Sequence, residues 1–230
     1  MVSGNLRDED ETDGENEVDN TSNLQMYRIH SIESTVVIRQ LPSQGISFKL
    51  WLPATTLVTL LDNYHSPRLN IVEIGSGTGI VGIAAAAMLG ANVTLTDLPN
   101  VIENLKFNAD ANARVVARFG GEVHVAPLRW GEAGDVEDLG RDVDLVLASD
   151  VVYHEHLYDP LLKTLRLMLL GKESEKRVFL MAHLKRWKKE SIFFKKARKV
   201  FDVDVIHCDV PQEGSRIGVV VYRFAPKGHV

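Results

Sequence analysis

The sequence predicts an α/β fold in which a mostly parallel, seven-stranded sheet is covered by helices on both faces. Strand-like and helix-like segments alternate along the chain from residue 70 onward, which is typical of a parallel sheet with helical crossovers. Residues 144–150 form a run that is continuously apolar from Leu145 to Ala148, as expected for a strand buried on both sides. A glycine-rich turn joins another strand to an alanine-rich helix.

One folded domain is expected after an acidic tail. The chain has 230 residues, of which 45% are hydrophobic and 25% are charged, as is ordinary for a globular protein. Residues 1–23 carry eight carboxylates and only Arg7, so we expect this tail to be disordered. Because the net charge is −5, residues 24–230 sum to about +2, unlike the broad positive field of a nucleic-acid-binding protein. We therefore expect a single domain over residues 24–230 and no nucleic-acid partner.

The terminus, the cysteine and the histidines exclude several other classes of protein. The acidic N-terminus has the pattern of neither a secretory signal nor a transit peptide, and no apolar run approaches the roughly 20 residues of a membrane span. Cys208 is the only cysteine, which excludes an internal disulfide and a cysteine-cluster metal site. His154, His156 and His183 form no recognisable metal pattern. We expect a monomer in the cytoplasm or nucleus, with no metal and no membrane partner.

Short strands and one helix are predicted before the core. Residues 26–41 are rich in β-branched side chains, which predicts one or two strands in an N-terminal appendage at residues 24–44. Trp51 stands just before a helix that we expect to run to Tyr64, with Pro53 in its first turn, where the missing N–H costs little.

The glycine-rich turn at residues 75–79 predicts a site for a nucleotide-type cofactor. Glycine permits a sharp turn and lets a ligand approach the main chain closely. A second strand-like segment ends at Asp97, 22 residues after Gly75, where a carboxylate can accept hydrogen bonds from ribose hydroxyls. Ile80 stands where a dinucleotide fingerprint needs glycine or alanine, and no Gly-Lys-Ser/Thr of a P-loop follows.

The remaining elements follow the same alternation. Helices are predicted at residues 98–118, 157–170 and 185–199, and strands at residues 122–128, 144–150, 177–183, 203–210 and 216–224. The last two strands are joined so closely that we expect an antiparallel pair, with one strand reversed relative to the sheet. Residues 185–199 hold eight basic residues and one acid, and this basic helix face either docks an acidic partner or is simply solvated.

Four segments resemble the family 16 methyltransferases, also called the methyltransferase-like 21 group, which are mostly protein-lysine methyltransferases. They occur in order between residues 45 and 185. The segments are Trp51 with Pro53-Ala54, Glu73-x-Gly75-x-Gly77-x-Gly79 continuing into Gly82-Ile83-Ala84, Leu128-x-Trp130-Gly131, and Asp150-Val151-Val152-Tyr153. The second segment is similar to motif I of the seven-strand S-adenosylmethionine methyltransferases. The resemblance implies their Rossmann-like class I fold.

The resemblance also implies S-adenosylmethionine as cofactor and S-adenosylhomocysteine as its product. It implies that Glu73 and the turn face the methionine portion, that Asp97 holds the ribose and that Trp130 lies beside the adenine. Asp150 and Tyr153 are then the catalytic pair, near the departing methyl and the incoming nitrogen. The implied cofactor-binding residues are Trp51, Glu73, Gly75, Ser76, Gly77, Thr78, Gly79, Asp97, Leu98, Trp130 and Ser149.

The expected reaction is methylation of a lysine side chain in a non-histone protein. Methyltransferases that act on nucleic-acid bases carry an Asn/Asp-Pro-Pro-Tyr/Phe loop, whereas this chain has Val151-Val152, which disfavours base methylation. Members of the resembled family act on chaperones, AAA ATPases and translation elongation factors, so a protein of this kind is the expected partner. The alternatives are an arginine, histidine or small-molecule acceptor, and a cofactor-binding interaction module without turnover.

Overall fold

The computed structural model describes residues 23–64, 68–140, 142–170, 177–211 and 217–228. Within these residues, helices cover both faces of a seven-stranded sheet, and a separate two-stranded sheet packs against one of the helices. The acidic tail predicted for residues 1–23 lies outside the described residues, apart from Asn23. None of the described helices is both long enough and apolar enough to cross a membrane.

The strands and helices follow the predicted alternation. The strands are β1 (Leu24–Ile29), β2 (Ser34–Arg39), β3 (Asn70–Ile74), β4 (Asn92–Asp97), β5 (Glu122–Pro127), β6 (Leu145–Ser149), β7 (Val178–His183), β8 (Phe201–Cys208) and β9 (Val220–Pro226). The helices are α1 (Leu52–Leu61), α2 (Ile80–Leu89), α3 (Ile102–Arg118), α4 (Ala133–Asp138), α5 (Tyr158–Leu169) and α6 (Ser191–Ala197).

The strand order of the large sheet is β5-β4-β3-β6-β7-β9-β8. Every neighbouring pair is parallel except those formed by β9, which runs antiparallel to both β7 and β8. The predicted α/β fold with one reversed strand is therefore confirmed. The chain runs outward from β3 to β5 and then returns to β6 on the other side of β3. Ligands of such sheets bind beyond the carboxyl ends of the strands at this reversal.

Both faces of the central strands are buried, which explains their continuous apolar sequence. Along β3, Ile71 packs into the core beneath α1, α2 and α3, whereas the adjacent Val72 packs into the core beneath α5 and α6. Leu145 and Val146 divide between the same two cores in β6. A charged side chain at the end of such a strand therefore emerges at the sheet edge and not on a face.

Helix α2 is buried around almost its whole circumference, so the glycine turn before it is held firmly. All of its residues except Met88 are buried. Its small side chains permit close contact with the sheet, because a Cβ at Gly82 would overlap the Leu95 side chain of β4. Tight packing on every side fixes where the first turn of α2 begins.

Asparagines on one face of α3 hold the N-terminal hairpin formed by β1 and β2. Asn112 Oδ1 accepts a hydrogen bond from the Val37 N–H at 2.8 Å, and Asn112 Nδ2 donates to the Val37 carbonyl at 2.7 Å. Asn108 makes the same pair of bonds with Arg39, at 2.7 and 3.2 Å. The helix thus supplies to β2 the backbone pairing that another strand would supply. The predicted strands at residues 24–44 exist as this separate appendage.

The predicted helix over residues 185–199 is wrong in its first part. Residues 184–187 have no regular structure, Lys188–Glu190 forms a 3-10 turn, and only Ser191–Ala197 is α-helical. The cause is the burial of Glu190, whose Oε2 accepts a hydrogen bond from the Arg186 N–H at 3.0 Å and lies 3.3 Å from His183 Nε2 at the end of β7. This contact folds the basic segment back toward the end of β7.

Smaller differences occur at the ends of other elements. Helix α3 begins at Ile102 and not at residue 98, because the Leu98 N–H donates to Asp97 Oδ1 at 2.7 Å and leads into a turn. The short helix α4 was not predicted. The last strand starts at Val220, and Gly218 before it lies so close to the Asp209 carbonyl that a Cβ there would overlap it.

Candidate active site

A cavity of about 440 Å³ opens at the carboxyl edge of the sheet, where the strand order reverses. Eleven of the predicted site residues line it: Trp51, Gly75, Ser76, Gly77, Thr78, Asp97, Leu98, Trp130, Ser149, Asp150 and Tyr153. Glu73 and Gly79 are not among its lining residues. The structure therefore brings the glycine turn after β3 and the Asp-x-x-Tyr segment after β6 into one space, although about 70 residues separate them in the sequence.

The glycine turn exposes bare main chain to the cavity. Gly75 and Gly77 have φ values of 61° and 57°, in the left-handed region that favours glycine. A Cβ on Gly75 would lie 2.8 Å from Trp130 Cζ2, and one on Gly77 would lie 3.0 Å from the Ser47 carbonyl oxygen. Side chains at these two positions would crowd the walls of the cavity.

Asp97 is fixed against the glycine turn. Its Oδ2 accepts a hydrogen bond from the Gly77 N–H at 2.8 Å, and its Oδ1 accepts one from the Leu98 N–H at 2.7 Å. Burial raises the pKa of Asp97 above its ordinary value, although these two N–H groups act in the opposite direction. Each carboxylate oxygen keeps a further lone pair for a hydroxyl donor in the cavity.

Glu73 faces away from the cavity, in contrast to the expectation that it faces the cofactor. It is fully buried, and its Oε2 accepts a hydrogen bond from the Gly82 N–H at 2.9 Å. Strand alternation turns its side chain toward α2, the same face as Ile71. Burial raises its pKa to about 8, opposed by the Gly82 hydrogen bond. Glu73 thus braces the strand–helix corner from behind.

Two tryptophans form part of the cavity wall. Trp51 Nε1 donates a hydrogen bond to the Ile46 carbonyl at 2.9 Å, which fixes the ring. Lys49 Nζ lies 5.0 Å and Arg186 Cζ lies 5.4 Å from the centre of that ring. Trp130 lies directly against Gly75. The wall is therefore largely apolar, with cations at its edge.

Asp150 adopts an unusual backbone conformation and is held by Arg186. Its φ is 59°, one of only two positive values among the described non-glycine residues. Arg186 Nη1 donates to Asp150 Oδ1 at 2.8 Å, and Nη2 donates to Oδ2 at 2.5 Å. The Asp150 side chain is only 7% exposed. A bidentate pair of this kind fixes both the position and the plane of the carboxylate.

A buried histidine and a second carboxylate lie behind this ion pair. His183 Nδ1 is 3.7 Å from Asp150 Oδ1, and His183 Nε2 is 3.3 Å from Glu190 Oε2. Neither contact has the geometry of a good hydrogen bond. Burial alone raises the pKa of Asp150, but His183 and Arg186 together outweigh it and hold the pKa below its ordinary value. Asp150 is therefore a carboxylate at neutral pH.

Tyr153 lies at the same wall, close enough to Asp97 for the charge of that carboxylate to affect the pKa of the phenol. Burial, and then the negative charge of Asp97, raise the pKa of Tyr153 above its ordinary value. The phenol therefore stays protonated at neutral pH and can both donate and accept a hydrogen bond.

The predictions from sequence missed Arg186, Trp187, Lys49 and Ser47, all of which line the cavity. Arg186 follows the carboxyl end of β7 by three residues. That position was a usable signal, since the ends of neighbouring parallel strands meet at one edge of the sheet. The basic, helix-like pattern of residues 185–199 obscured it.

The residues present fit the nucleotide-type cofactor that the sequence predicts. The glycine main chain, Asp97 and the two tryptophans offer close approach, an acceptor for hydroxyls and flat apolar walls in one cavity. The cavity also lies in the volume range of small-molecule sites, about 300–1,000 Å³. Among the described residues, no three histidine, cysteine or acidic side chains are grouped so that they could hold a metal ion.

Comparison of the sequence with known protein families finds one match over most of the chain. Residues 31–200 match the model of the family described as "Lysine methyltransferase". The protein N-lysine methyltransferase METTL21A of Danio rerio is 33% identical over 181 residues, which cover 78% of this chain and 77% of that protein. EEF1A lysine methyltransferase 3 of Mus musculus is 32% identical over 184 residues, covering 78% of this chain and 72% of the relative.

A shorter overlap and two solved structures complete the comparison. The protein-lysine N-methyltransferase rrg1 of Schizosaccharomyces pombe is 34% identical over 130 residues, but the match spans only 43% of that relative and 53% of this chain. The structure of the predicted O-methyltransferase Atu636 of Agrobacterium tumefaciens aligns with a TM-score of 0.57 at 18% identity, covering 76% of this chain and 81% of that one. A ribosomal protein L11 methylase of Lactobacillus delbrueckii aligns with a TM-score of 0.51 at 20% identity, covering 76% and 79%. These two structures agree in fold with the chain.

Proposed function

Because this chain belongs to the lysine methyltransferase family, we propose that it transfers a methyl group from S-adenosylmethionine to the side-chain nitrogen of a lysine in a protein. One observation carries the proposal: a single cavity joins the glycine turn and Asp97 to the Asp150–Tyr153 segment. A donor bound on the first group of residues would present its methyl to an acceptor held by the second.

The glycine turn, Asp97 and Trp130 are proposed to hold the cofactor. The bare main chain at Gly75 and Gly77 would lie against its methionine portion, and Asp97 would accept hydrogen bonds from its ribose hydroxyls. The flat face of Trp130 would pack against its adenine. When bound, S-adenosylmethionine supplies a methyl group on a positively charged sulfur, which an amine can attack directly.

Asp150 and Tyr153 are proposed to orient the acceptor nitrogen. Both Asp150 oxygens already bind Arg186, so this carboxylate acts as an oriented acceptor and not as a strong base. A lysine side chain has a pKa of about 10.4 in water and must lose its proton before it attacks. An apolar channel with Arg186 and Lys49 at its edge favours the neutral amine. Catalysis then comes mainly from holding the reacting atoms in line.

The same ion pair is the observation that favours a second candidate, a cofactor-binding interaction module without turnover. An Asp150 whose two oxygens remain bound to Arg186 could leave an incoming amine poorly held. Such a module would bind S-adenosylmethionine tightly and transfer nothing.

Incubation of a cell extract with the purified chain and tritiated S-adenosylmethionine tests both candidates. The proposed enzyme labels discrete protein bands, and Asp150→Asn abolishes the label while Asp110→Asn on the exposed face of α3 retains it. Hydrolysis of the labelled protein should release methyl-lysine; methylarginine or methylhistidine would assign a different acceptor. Label confined to small molecules would contradict a protein substrate. Tight cofactor binding without any label would support the module.

The partner and the cellular location are further proposals. The name of one relative, EEF1A lysine methyltransferase 3, makes a translation factor a reasonable first substrate to assay, with chaperones and AAA ATPases next. We propose a monomer that works in the cytoplasm or nucleus. Light scattering of the purified chain and microscopy of a tagged chain test these two points.

A further inference from the structure

Positive charge is concentrated in two segments that border the cavity mouth. Residues 158–170 and 177–200 contain eleven lysines and arginines but only two carboxylates, Asp159 and Glu190. The whole chain has a net charge of −5, so the rest of the molecule is strongly acidic by comparison. A surface that only keeps a protein soluble mixes both signs.

Most of these cations have no partner of opposite charge. Glu190 is buried against His183 and the Arg186 N–H, and Asp159 binds Lys196 at 2.7 Å. Eight cations form no ion pair with another described residue: Lys163, Arg166, Lys185, Lys188, Lys189, Lys195, Arg198 and Lys199. We call the surface formed by Lys163, Arg166, Lys188, Lys189, Lys195, Lys196 and Lys199 the cationic face.

Part of the cationic face is concave and lies beside the cavity in the chain. A groove of about 380 Å³ between α5 and α6 is lined by Lys163, Arg166, Lys196 and Lys199, together with Asp159 and Leu162. Asp159, at one end of this groove, precedes Pro160, which lines the main cavity. The groove and the cavity mouth are therefore neighbours on one side of the molecule.

Trp187 supplies an apolar surface at the point where the face meets the cavity. Its exposed fraction is 61%, although it also lines the cavity. Lys185 and Arg186 precede it and Lys188 and Lys189 follow it. Exposed tryptophans are rare on free surfaces and are enriched where proteins bind each other.

We propose that the cationic face and Trp187 dock an acidic surface of the substrate protein, next to the lysine that enters the cavity. This inference rests on the proposed methyl transfer and specifies the chemistry of its substrate. Carboxylates of the substrate would bind the lysines of the groove and of residues 188–189, while an apolar side chain beside the target lysine covers Trp187. A nucleic acid is a poorer fit, because its phosphates would extend from the face over the acidic remainder of the molecule.

The test uses the full chain with S-adenosylhomocysteine and three short fluorescent peptides, each with one central lysine. Their flanks are rich in aspartate and glutamate, in serine and glutamine, or in lysine and arginine. The acidic peptide should bind most tightly, and its affinity should fall with added salt. The double variant Lys188→Glu/Lys189→Glu should weaken acidic-peptide binding by about tenfold at low salt.

The matched control is Lys106→Glu/Arg114→Glu, which reverses two exposed charges on α3 and changes the net charge equally. It should keep the acidic-peptide affinity within about twofold, because α3 packs on the opposite side of the sheet from α5 and α6 and salt screens distant exposed charges. Equal binding of the three peptides, or equal losses in both double variants, would overturn the inference. Tighter binding of a single-stranded RNA than of the acidic peptide would overturn it in favour of a nucleic acid.

Two further measurements separate the remaining outcomes. Calorimetry with S-adenosylhomocysteine, the product of S-adenosylmethionine, tests the proposed function itself. If this ligand binds but the three peptides bind equally, only the docking inference fails. Replacing the eight carboxylates of residues 1–22 by amides tests whether the chain's own acidic segment is the occupant. Acidic-peptide binding that appears only in that variant would overturn the inference of a substrate surface.

Discussion

Asp150 and Arg186 form a bidentate ion pair in the wall of the cavity, with donor–acceptor distances of 2.8 and 2.5 Å. The pair joins the end of β6 to the segment after β7 and lies in front of the buried His183. A left-handed backbone at a non-glycine residue carries a cost, so surrounding contacts must hold Asp150 in that conformation. Arg186 is thus a positioning residue for the proposed catalytic carboxylate.

Replacing Arg186 with glutamine should lower kcat by about tenfold or more, because the buried Asp150 would lose its charged partner. Arg186 is one of the two groups that oppose the effect of burial, so its loss should raise the pKa of Asp150 relative to the parent. If the reaction needs the ionised carboxylate, the acid limb of the kcat profile should move to higher pH. Arg186→Lys keeps the charge but loses the bidentate geometry, and should be intermediate.

Steady-state rates measured across pH check this prediction, with Arg28→Gln on the exposed hairpin as control. Added guanidinium should partly restore Arg186→Ala, as expected for a residue that acts by holding Asp150. A pH profile and kcat that match the parent in Arg186→Gln would contradict the positioning role.

Asp97→Asn should weaken binding of S-adenosylmethionine by about 10- to 100-fold, the effect of a lost hydrogen bond to a charged group. An amide has only one oxygen, so it cannot accept from both the Gly77 and Leu98 N–H groups as Asp97 does. Its NH₂ group would instead face a backbone donor. Calorimetry measures the change, and Asp110→Asn should leave the affinity unaltered. Unchanged affinity in Asp97→Asn would remove Asp97 from the cofactor site.

Gly75→Ala should weaken cofactor binding far more than Gly120→Ala. Both glycines have positive φ, 61° and 80°, so each substitution carries a similar backbone cost of about 1–2 kcal/mol. Only the Gly75 Cβ meets a neighbour, Trp130 Cζ2 at 2.8 Å, whereas the Gly120 Cβ has nothing within 4 Å. Unfolding curves of both variants measure the backbone cost, and cofactor titrations measure how far the added Cβ weakens cofactor binding. Equal cofactor affinities would show that Trp130 moves aside freely.

The features that sequence could predict are those encoded by neighbouring residues. Local sequence predicts a strand from the apolar run before Asp150 and a tight turn from the glycines at 75, 77 and 79. Because β3 and β6 are parallel neighbours, the sheet then places Asp150 and the turn at the same edge. The sequence also indicates a polar contact face on α3, because Asn104, Asn108 and Asn112 recur every four residues and so lie on one side of the helix.

The features that sequence could not predict depend on contacts between distant residues. Arg186 is 36 residues from Asp150, and although its position after β7 places it at the carboxyl edge of the sheet, the sequence does not show that it pairs with Asp150. Burial of Glu190 against His183 prevents residues 185–199 from forming one continuous amphipathic helix. Glu73 was assigned to the cofactor by resemblance, whereas its side chain faces α2.

Glu73→Gln should flatten the pH dependence of stability. The folded-state pKa of Glu73 is about 8, above the ordinary value of 4.5 for a glutamate. Between these values the folded state binds a proton that the unfolded state has lost, so stability falls as pH rises from about 4.5 to 8. The loss is at most about 1.4 kcal/mol per pH unit. Urea unfolding at several pH values tests this, and parallel curves for Glu73→Gln, Glu103→Gln and the parent would contradict it.

Asn108→Asp should destabilise the fold by about 2–4 kcal/mol and loosen the cofactor turn together with the hairpin. Asn108 is fully buried, and its Nδ2 donates to the Thr78 carbonyl at 2.8 Å and to the Arg39 carbonyl at 3.2 Å. A carboxylate cannot donate either bond and would bring a buried charge. The exposed Asn63 bonds the Thr59 carbonyl at 3.0 Å through the same atom, so Asn63→Asp is a matched control that should cost little. Urea unfolding and cofactor calorimetry measure both effects; equal losses in the two variants would mean that Asn108 does not link the turn to the hairpin.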